Sequence, residues 1–350
     1  MRYRLLGKTG LYVSELCLGC MTFGAGKERL QSTRWKSIGM LTAADAERLI
    51  GMAIDAGVNF IDTADVYAEG ESERDLGSAL ATLGIPRDKI ILATKVRART
   101  GPGPNDIGLS RGHILNAVDA SLKRLRTDYI DLYQIHGIDY DTPLEETLAA
   151  LDTVIHAGKV RYAGFCNLPA WFAMKALAYA DYHCLPRFVS AQMYYSIAGR
   201  DIEREIVPLA KEEGLAILPW SPLAGGLLSG KFDLQNPGPE NARRSSFDFP
   251  PVDKTRAKAV LDVMRPIAGR MGVSVARVAL AWMLTRPFVT SIIIGAKTVE
   301  QLTDNLSSTD LVLSAEDGAA LDEVSALPRE YPGWMLEWQT IDRRPEKTFP

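Results

Sequence analysis

The chain has 350 residues, 47% of them hydrophobic, which is enough for a large core in one domain or for two ordinary domains. Its 40 Lys and Arg against 43 Asp and Glu leave a net charge of -3, giving no electrostatic footprint for nucleic acid or an anionic membrane surface. The N-terminus lacks the apolar stretch of a signal peptide, and the longest apolar runs, such as 278 to 284, fall well short of the ~20 residues of a membrane span. A cytoplasmic protein with small-molecule partners is expected, and self-association into a homo-oligomer is left open. Cys17, Cys20, Cys166 and Cys184 form neither a disulfide framework nor a zinc pattern. Cys17-Leu-Gly-Cys20 ends an apolar strand rather than starting a helix, so it reads as two buried thiols and not a redox pair.

In chain order, residues 3 to 13 read as a hairpin around Gly7-Lys-Thr-Gly10, and Leu16 to Gly19 as a first strand. A long, unpatterned segment follows to Leu41. Thr42-Ala-Ala-Asp45 starts a helix that Gly57 closes, with Leu49, Ile50, Ala53 and Ile54 at helical spacing. Strand 58 to 61 runs into Asp62, with Tyr67 in the loop beyond and a helix from 72 to 83 for which Ser72 is the expected cap. Strand 90 to 94 ends at Lys95. Ser110 caps the next helix, strand 129 to 135 ends at His136, and Thr142-Pro-Leu-Glu145 carries a capping-box pattern with Pro at the first helical position. The alternation continues through strands 160 to 165, 188 to 191, 215 to 219 and 291 to 294. Helices are expected over 170 to 180, 202 to 213, 254 to 270, 274 to 285, from Val299, and over 314 to 327, while 221 to 253 is irregular.

Eight strand–helix units in about 300 residues are what a (β/α)8 TIM barrel needs, and the short apolar strands without polar alternation suit a parallel sheet covered on both faces. One domain over 1 to 350 is expected, with an N-terminal β-hairpin (1 to 14), an extra C-terminal helix and a tail (328 to 350) whose Tyr331, Trp334 and Trp338 lean toward lining a pocket. In such a barrel the site lies at the C-terminal strand ends, so Asp62, Lys95, His136 and the nearby Tyr67 share one rim. A phenol with an ordinary pKa near ~10 needs a cation beside it to work at neutral pH. Lys95, held by Asp62, would stabilise the phenolate, and His136 would hydrogen-bond a substrate oxygen. Taken singly, these residues read as a loop cap, a half-buried aromatic, a snorkelling lysine and a strand-end histidine. Their joint position at successive strand ends makes them a proton-transfer site.

The motifs Gly19-Cys-Met-Thr-Phe-Gly24, Asp62-Thr-Ala-Asp-Val-Tyr67, Ala93-Thr-Lys95, Gln134-Ile-His136, Trp220-Ser-Pro-Leu223 and Gly295-Ala-Lys-Thr298 with Gln301 and Asn305 resemble those of the aldo-keto reductase superfamily, in the family's order. The resemblance implies NADP(H)-dependent carbonyl reduction, with Tyr67 as general acid, Asp62 and Lys95 tuning it, and His136 orienting the carbonyl. It also implies cofactor contacts. Asn167 and Gln192, next to Cys166, hold the nicotinamide carboxamide and Trp220 stacks on the ring, while Gly19, Met21, Asp62, Gly225 and Gly295 are further cofactor contacts. Ser221, Leu223 and Lys231 form the pyrophosphate loop, and Lys297, Gln301 and Asn305 the end that grips the 2'-phosphate. Thr298 to Gln301 is independently a capping-box pattern, which directs backbone N–H groups and a positive helix end at that phosphate. Cys166 replaces the family's usual Ser, and the family's phosphate-binding Arg has no matched counterpart, since Arg243 and Arg244 lie in the irregular 221 to 253 loop.

Gly225-Gly-Leu-Leu-Ser-Gly230-Lys231 mimics a P-loop, but Phe232 stands where magnesium binding needs Ser or Thr. No GxGxxG opens a βαβ unit, so a dinucleotide would bind without a Rossmann fold. Two other functions stay open: an NADP(H)-sensing subunit, because Trp220-Ser-Pro-Leu223 and the barrel also resemble potassium-channel β subunits, and a barrel lyase or isomerase without nicotinamide.

Overall fold

A computed structural model describes residues 1–25, 35, 38–231, 244 and 247–343. Strands β1 (Tyr3–Leu5) and β2 (Tyr12–Ser14) pair antiparallel as the expected hairpin. The barrel strands are β3 (Leu16–Gly19), β4 (Phe60–Asp62), β5 (Ile91–Val96), β6 (Ile130–Ile135), β7 (Val160–Cys166), β8 (Phe188–Tyr194), β9 (Ala216–Trp220) and β10 (Ile292–Ile294). Between them run α1 (Ala43–Asp55), α2 (Glu71–Thr82), α3 (Arg111–Leu125), α4 (Leu144–His156), α5 (Ala170–Tyr182), α6 (Ile206–Glu213), α7 (Lys254–Met271) and α8 (Val275–Leu284). After β10 come α9 (Val299–Leu306), α10 (Ala315–Val324) and α11 (Gly333–Arg343).

All eight barrel strands are parallel, in the order β10-β3-β4-β5-β6-β7-β8-β9. The seam of this nearly closed (β/α)8 barrel is held where Ile217 bridges Val289 and the Thr290 N–H donates to the Ile217 carbonyl at 2.9 Å. Among the described residues no single helix is long and apolar enough to cross a membrane.

The period-2 alternation of strand side chains decides what meets inside. Ile61, Leu92, Tyr133 and Ile217 face outward onto the helices. Cys17, Phe60, Ile91, Leu132 and Leu218 face inward and fill the N-terminal half of the barrel, whose floor is closed by Leu6 and Val13 of the hairpin segment. The next inward positions along β4 and β6 are Asp62 and Gln134, β5 reaches Lys95 after Ala93, and β8 adds Gln192, so the apolar filling gives way to a polar layer at the C-terminal end of the strands. Each buried Leu, Ile or Phe below that layer contributes roughly 1.5–3 kcal/mol of burial free energy, which allows the chain to carry polar groups above it.

Local signals hold at several helix starts. Thr42 and Asp45 form a reciprocal capping box, and the Ser110 and Thr298 hydroxyls accept from N–H groups three residues on. Three expectations need correction. Gly70, not Ser72, caps α2; Ser72 lies inside the helix, where its hydroxyl donates to the Cys20 carbonyl at 2.7 Å. Thr142 and Glu145 form no capping box, because the Thr142 hydroxyl donates to Asp139 instead and Pro143 is the cap. The tail contains an additional helix, α11, on which Trp334 and Trp338 are exposed, as is Tyr331 before it.

Candidate active site

Lys95 is the hub of the polar layer. Its Nζ donates to Asp62 Oδ2 at 2.5 Å, to the Thr63 carbonyl at 2.7 Å and to the Tyr67 hydroxyl at 3.3 Å, using all three ammonium hydrogens. Burial alone would lower its pKa; the Asp62 charge, then Tyr67, outweigh that, and the net shift is upward, so Lys95 stays a cation. The other Asp62 oxygen accepts from Gln134 Nε2 at 3.1 Å and Gln192 Nε2 at 2.9 Å. The carboxylate is thus tied to a cation on one side and to two amides on the other.

Tyr67 reaches this hub from a tight turn after β4. Within that turn Ala68 and Glu69 have φ of 48° and 56°, and Gly70 follows at 88°. Left-handed non-glycine residues cost roughly 1–3 kcal/mol each and persist only where packing over-determines them. Six of the eight such residues among those described, Ala68, Glu69, Arg97, Asn167, Ser221 and Ala224, lie in segments leaving the C-terminal strand ends. Backbone strain is therefore concentrated on the rim that holds Asp62, Tyr67, Lys95 and His136.

The half-buried Tyr67 ring lies 4.8 Å from Lys95 Nζ, and His136, directly after β6, meets it edge-on with centroids 5.8 Å apart. Asp62, Tyr67, Lys95 and His136 are thus brought together as expected. The electrostatics differ from expectation. Burial pushes the Tyr67 phenol up, the Lys95 charge opposes this without cancelling it, and the net shift is above the ordinary value. At neutral pH the group is a phenol with a proton to give, not a stabilised phenolate.

Several residues of the site carry no periodic signal in the sequence. Gln134 is a fully buried amide within an apolar strand, and its Oε1 also accepts from Gln192 Nε2 at 3.3 Å. Trp35 packs at 5.7 Å from Tyr67 and shares an apolar cluster with Ile38, Ala68, Met21 and Phe247. Trp35 and Phe247 come from the two long unpatterned loops; their aromatic character there is the one signal that marks them.

The residues expected to hold a cofactor fall into three groups along the same rim. At the first, Asn167 sits at φ 55° just after β7; its Oδ1 accepts the Trp220 indole N–H at 2.9 Å, and its Nδ2 points to the His136 carbonyl at 3.5 Å. Cys166, fully buried, has its Sγ 3.9 Å from Gln134 Oε1, and burial raises its thiol pKa well above the usual range. Gly19 ends β3, where a Cβ would stand 2.7 Å from Ile293 Cγ2. Trp220 has Tyr194 at 5.3 Å and Phe249 lying nearly parallel, 8° between planes, at 5.8 Å, so a protein ring already stacks there.

The second group follows β9. Ser221 Oγ accepts the Gly225 N–H at 2.9 Å, Leu223 packs against the core, and Lys231 is exposed. Arg243 lies outside the described residues. Arg244 is committed to this loop: it donates to the carbonyls of Ala224 at 2.5 Å and Pro250 at 3.0 Å and pairs with Asp248.

The third group follows β10. Gly295 is exposed, Asn305 Nδ2 donates to its carbonyl at 3.1 Å, and the Lys297 ammonium lies 3.0 Å from Met40 Sδ. The expected capping box is only half formed. Thr298 accepts the Gln301 N–H at 3.3 Å, but Gln301 Oε1 accepts from the Lys297 N–H at 2.9 Å, one residue before the cap. Lys297 and the start of α9 are therefore tied into one unit.

The Aldo/keto reductase family model matches residues 15–326. The Bacillus subtilis (strain 168) "Uncharacterized oxidoreductase YrpG" is 38% identical over 93% of this chain and 96% of its own length. The Aspergillus parasiticus versiconal hemiacetal acetate reductase is 34% identical over 95% of this chain and 99% of its own. A probable voltage-gated potassium channel subunit beta of Arabidopsis thaliana is 36% identical, covering 89% of this chain and 92% of its own. The family match runs through the whole barrel and takes in every strand-end residue described above, and on that basis the chain belongs to the aldo/keto reductase family.

Proposed function

We propose that this chain is an NADPH-dependent reductase of aldehydes or ketones, reversible to alcohol oxidation, with Tyr67 as the proton donor. The observation that carries the proposal is the Lys95 ammonium shared between Asp62 at 2.5 Å and the Tyr67 hydroxyl at 3.3 Å, with His136 beside it. NADPH, when bound, supplies the hydride. Tyr67 gives its proton to the carbonyl oxygen, and the charge left on the phenol oxygen is stabilised by Lys95, which Asp62 keeps in place. His136 orients the same oxygen by hydrogen bonding.

The donor chemistry of the rim fits such a cofactor. Amide side chains at Asn167 and Gln192 suit a carboxamide, while Lys297 at the start of α9 pairs a cation with a helix N-terminus, as a phosphate requires. Gln192 donates through Nε2 to Asp62 and Gln134, so its amide oxygen is the atom that would be offered to a carboxamide.

The likeness to channel β subunits favours a second reading, a sensor that oxidises its cofactor without sustained turnover. Steady-state oxidation of NADPH and NADH across a panel of aromatic and aliphatic carbonyls separates the two. Multiple turnovers support the reductase, and a single stoichiometric oxidation supports the sensor. Absence of binding by either cofactor would refute both.

A further inference from the structure

Beneath the rim, on the helix side of β5, lies a buried ionic network that no step above uses. Glu73 of α2 is fully buried; its Oε1 accepts from the Thr94 hydroxyl at 2.6 Å and its Oε2 from Arg124 Nε at 2.5 Å. Arg124, near the end of α3, also donates to Ser121 Oγ at 3.2 Å. The network lies outside the barrel because Thr94 faces opposite to its neighbour Lys95.

Each end of this network abuts a member of the site. Thr94 immediately precedes Lys95. At the other end Arg124 lies against Gly70, where the Tyr67 turn meets α2; a Cβ there would stand 2.9 Å from Arg124 Cδ and 3.2 Å from its Nε. The turn needs such a clamp, since Ala68 and Glu69 hold left-handed conformations that relax unless their surroundings fix them. Asp65, two residues before Tyr67, is also buried, with Glu73 and Arg124 the charges nearest its carboxylate. The Arg124 guanidinium nevertheless hydrogen-bonds to Glu73. The path from Lys95 through Thr94, Glu73, Arg124 and Gly70 to Tyr67 is thus a ring of packed groups, closed by the 3.3 Å contact between Lys95 and the phenol.

Resting on the reading of Tyr67 as proton donor, we propose that Glu73 and Arg124 are positioning residues, whose buried ion pair holds the strained Tyr67 turn at hydrogen-bonding distance from Lys95. They touch no substrate. Their effect reaches the chemistry through where the phenol sits.

The test compares Arg124→Met and Thr94→Val with the unmodified protein and with Tyr67→Phe. The readouts are kcat, the NADPH dissociation constant by fluorescence, and the pH profile of carbonyl reduction. The groups facing Tyr67 are Lys95 from β5, Asp62 from β4, His136 after β6 and Cys166 at the end of β7, and none of them is substituted. The Lys95 charge favours the phenolate, so a wider gap raises the phenol pKa. The alkaline limb of reduction, where Tyr67 loses its proton, then moves to higher pH.

Misplacement by ~1 Å costs on the order of 100-fold in rate, so Arg124→Met is expected to lose about that factor in kcat. Thr94→Val is expected to lose less, with the limb displaced upward and NADPH affinity unchanged in both. If both variants keep their kcat and their limb while Tyr67→Phe is inactive, the positioning role is overturned and the donor reading stands. A loss of kcat with the limb in place is general damage and also overturns it. An active Tyr67→Phe overturns the donor reading and this inference together. Should Arg124→Met fail to fold, Glu73→Gln combined with Arg124→Met, which removes the pair without leaving a lone buried charge, decides on the same readouts.

Discussion

Lys95→Met removes the cation from a layer that solvent does not reach. Lys95 has no exposed surface and Asp62 is 2% exposed, so the substitution leaves a buried carboxylate supported only by the Gln134 and Gln192 amides. Breaking a buried pair by removing one partner costs about 3–5 kcal/mol. At roughly 2 °C per kcal/mol, the low end for chains of several hundred residues, Tm should fall by about 6–10 °C. Lys95→Met combined with Asp62→Asn removes both charges while the new amide oxygen still accepts from the two glutamines. Replacing both members of a buried pair is often close to neutral, so the double variant should recover most of the loss, although neither variant is expected to turn over. Thermal melts with far-UV circular dichroism at neutral pH read the comparison. A single variant that melts with the unmodified protein, or a double variant as unstable as the single one, refutes the account of this layer.

Burial, then the neighbouring Glu73, raises the Asp65 pKa well above the ordinary carboxylate value, with Arg124 opposing. A raised folded-state pKa means stability that is complete below the unfolded value, near ~4, and is lost as pH rises through the folded one. Asp65→Asn, which cannot ionise, should therefore gain stability over the unmodified protein progressively as pH rises above the unfolded carboxylate value; parallel melting curves would contradict this. Lys297→Ala should raise KM for NADPH by about 5–30-fold, the equivalent of 1–2 kcal/mol, and leave KM for NADH unchanged; equal effects on both cofactors would remove Lys297 from the 2'-phosphate.

Elements with a strong period or a local cap were legible in the sequence. Thr42 with Asp45, Ser110 and Thr298 start helices as read, because their partners lie within three residues. The convergence of Asp62, Lys95, Tyr67 and His136 followed from their places at successive strand ends of a barrel. Failures arose where a distant partner outbid a local one. Ser72 turned to Cys20, Thr142 to Asp139, and Gln301 to the backbone of Lys297. Gln134 was opaque because one amide in an apolar strand shows no pattern until the facing strands supply Asp62 and Gln192. The direction of the Tyr67 shift was missed because proximity to Lys95 can be inferred from motifs, whereas the depth of burial that outweighs it cannot.

The central claim is that Tyr67 delivers the proton. Tyr67→Phe keeps the ring beside Trp35 and His136 and removes only the hydroxyl that Lys95 touches. Measured as NADPH affinity by fluorescence alongside steady-state reduction of the best carbonyl substrate, the variant should bind NADPH as the unmodified protein does and lose about 10²–10⁴-fold in kcat. Near-normal turnover with normal binding would contradict the claim.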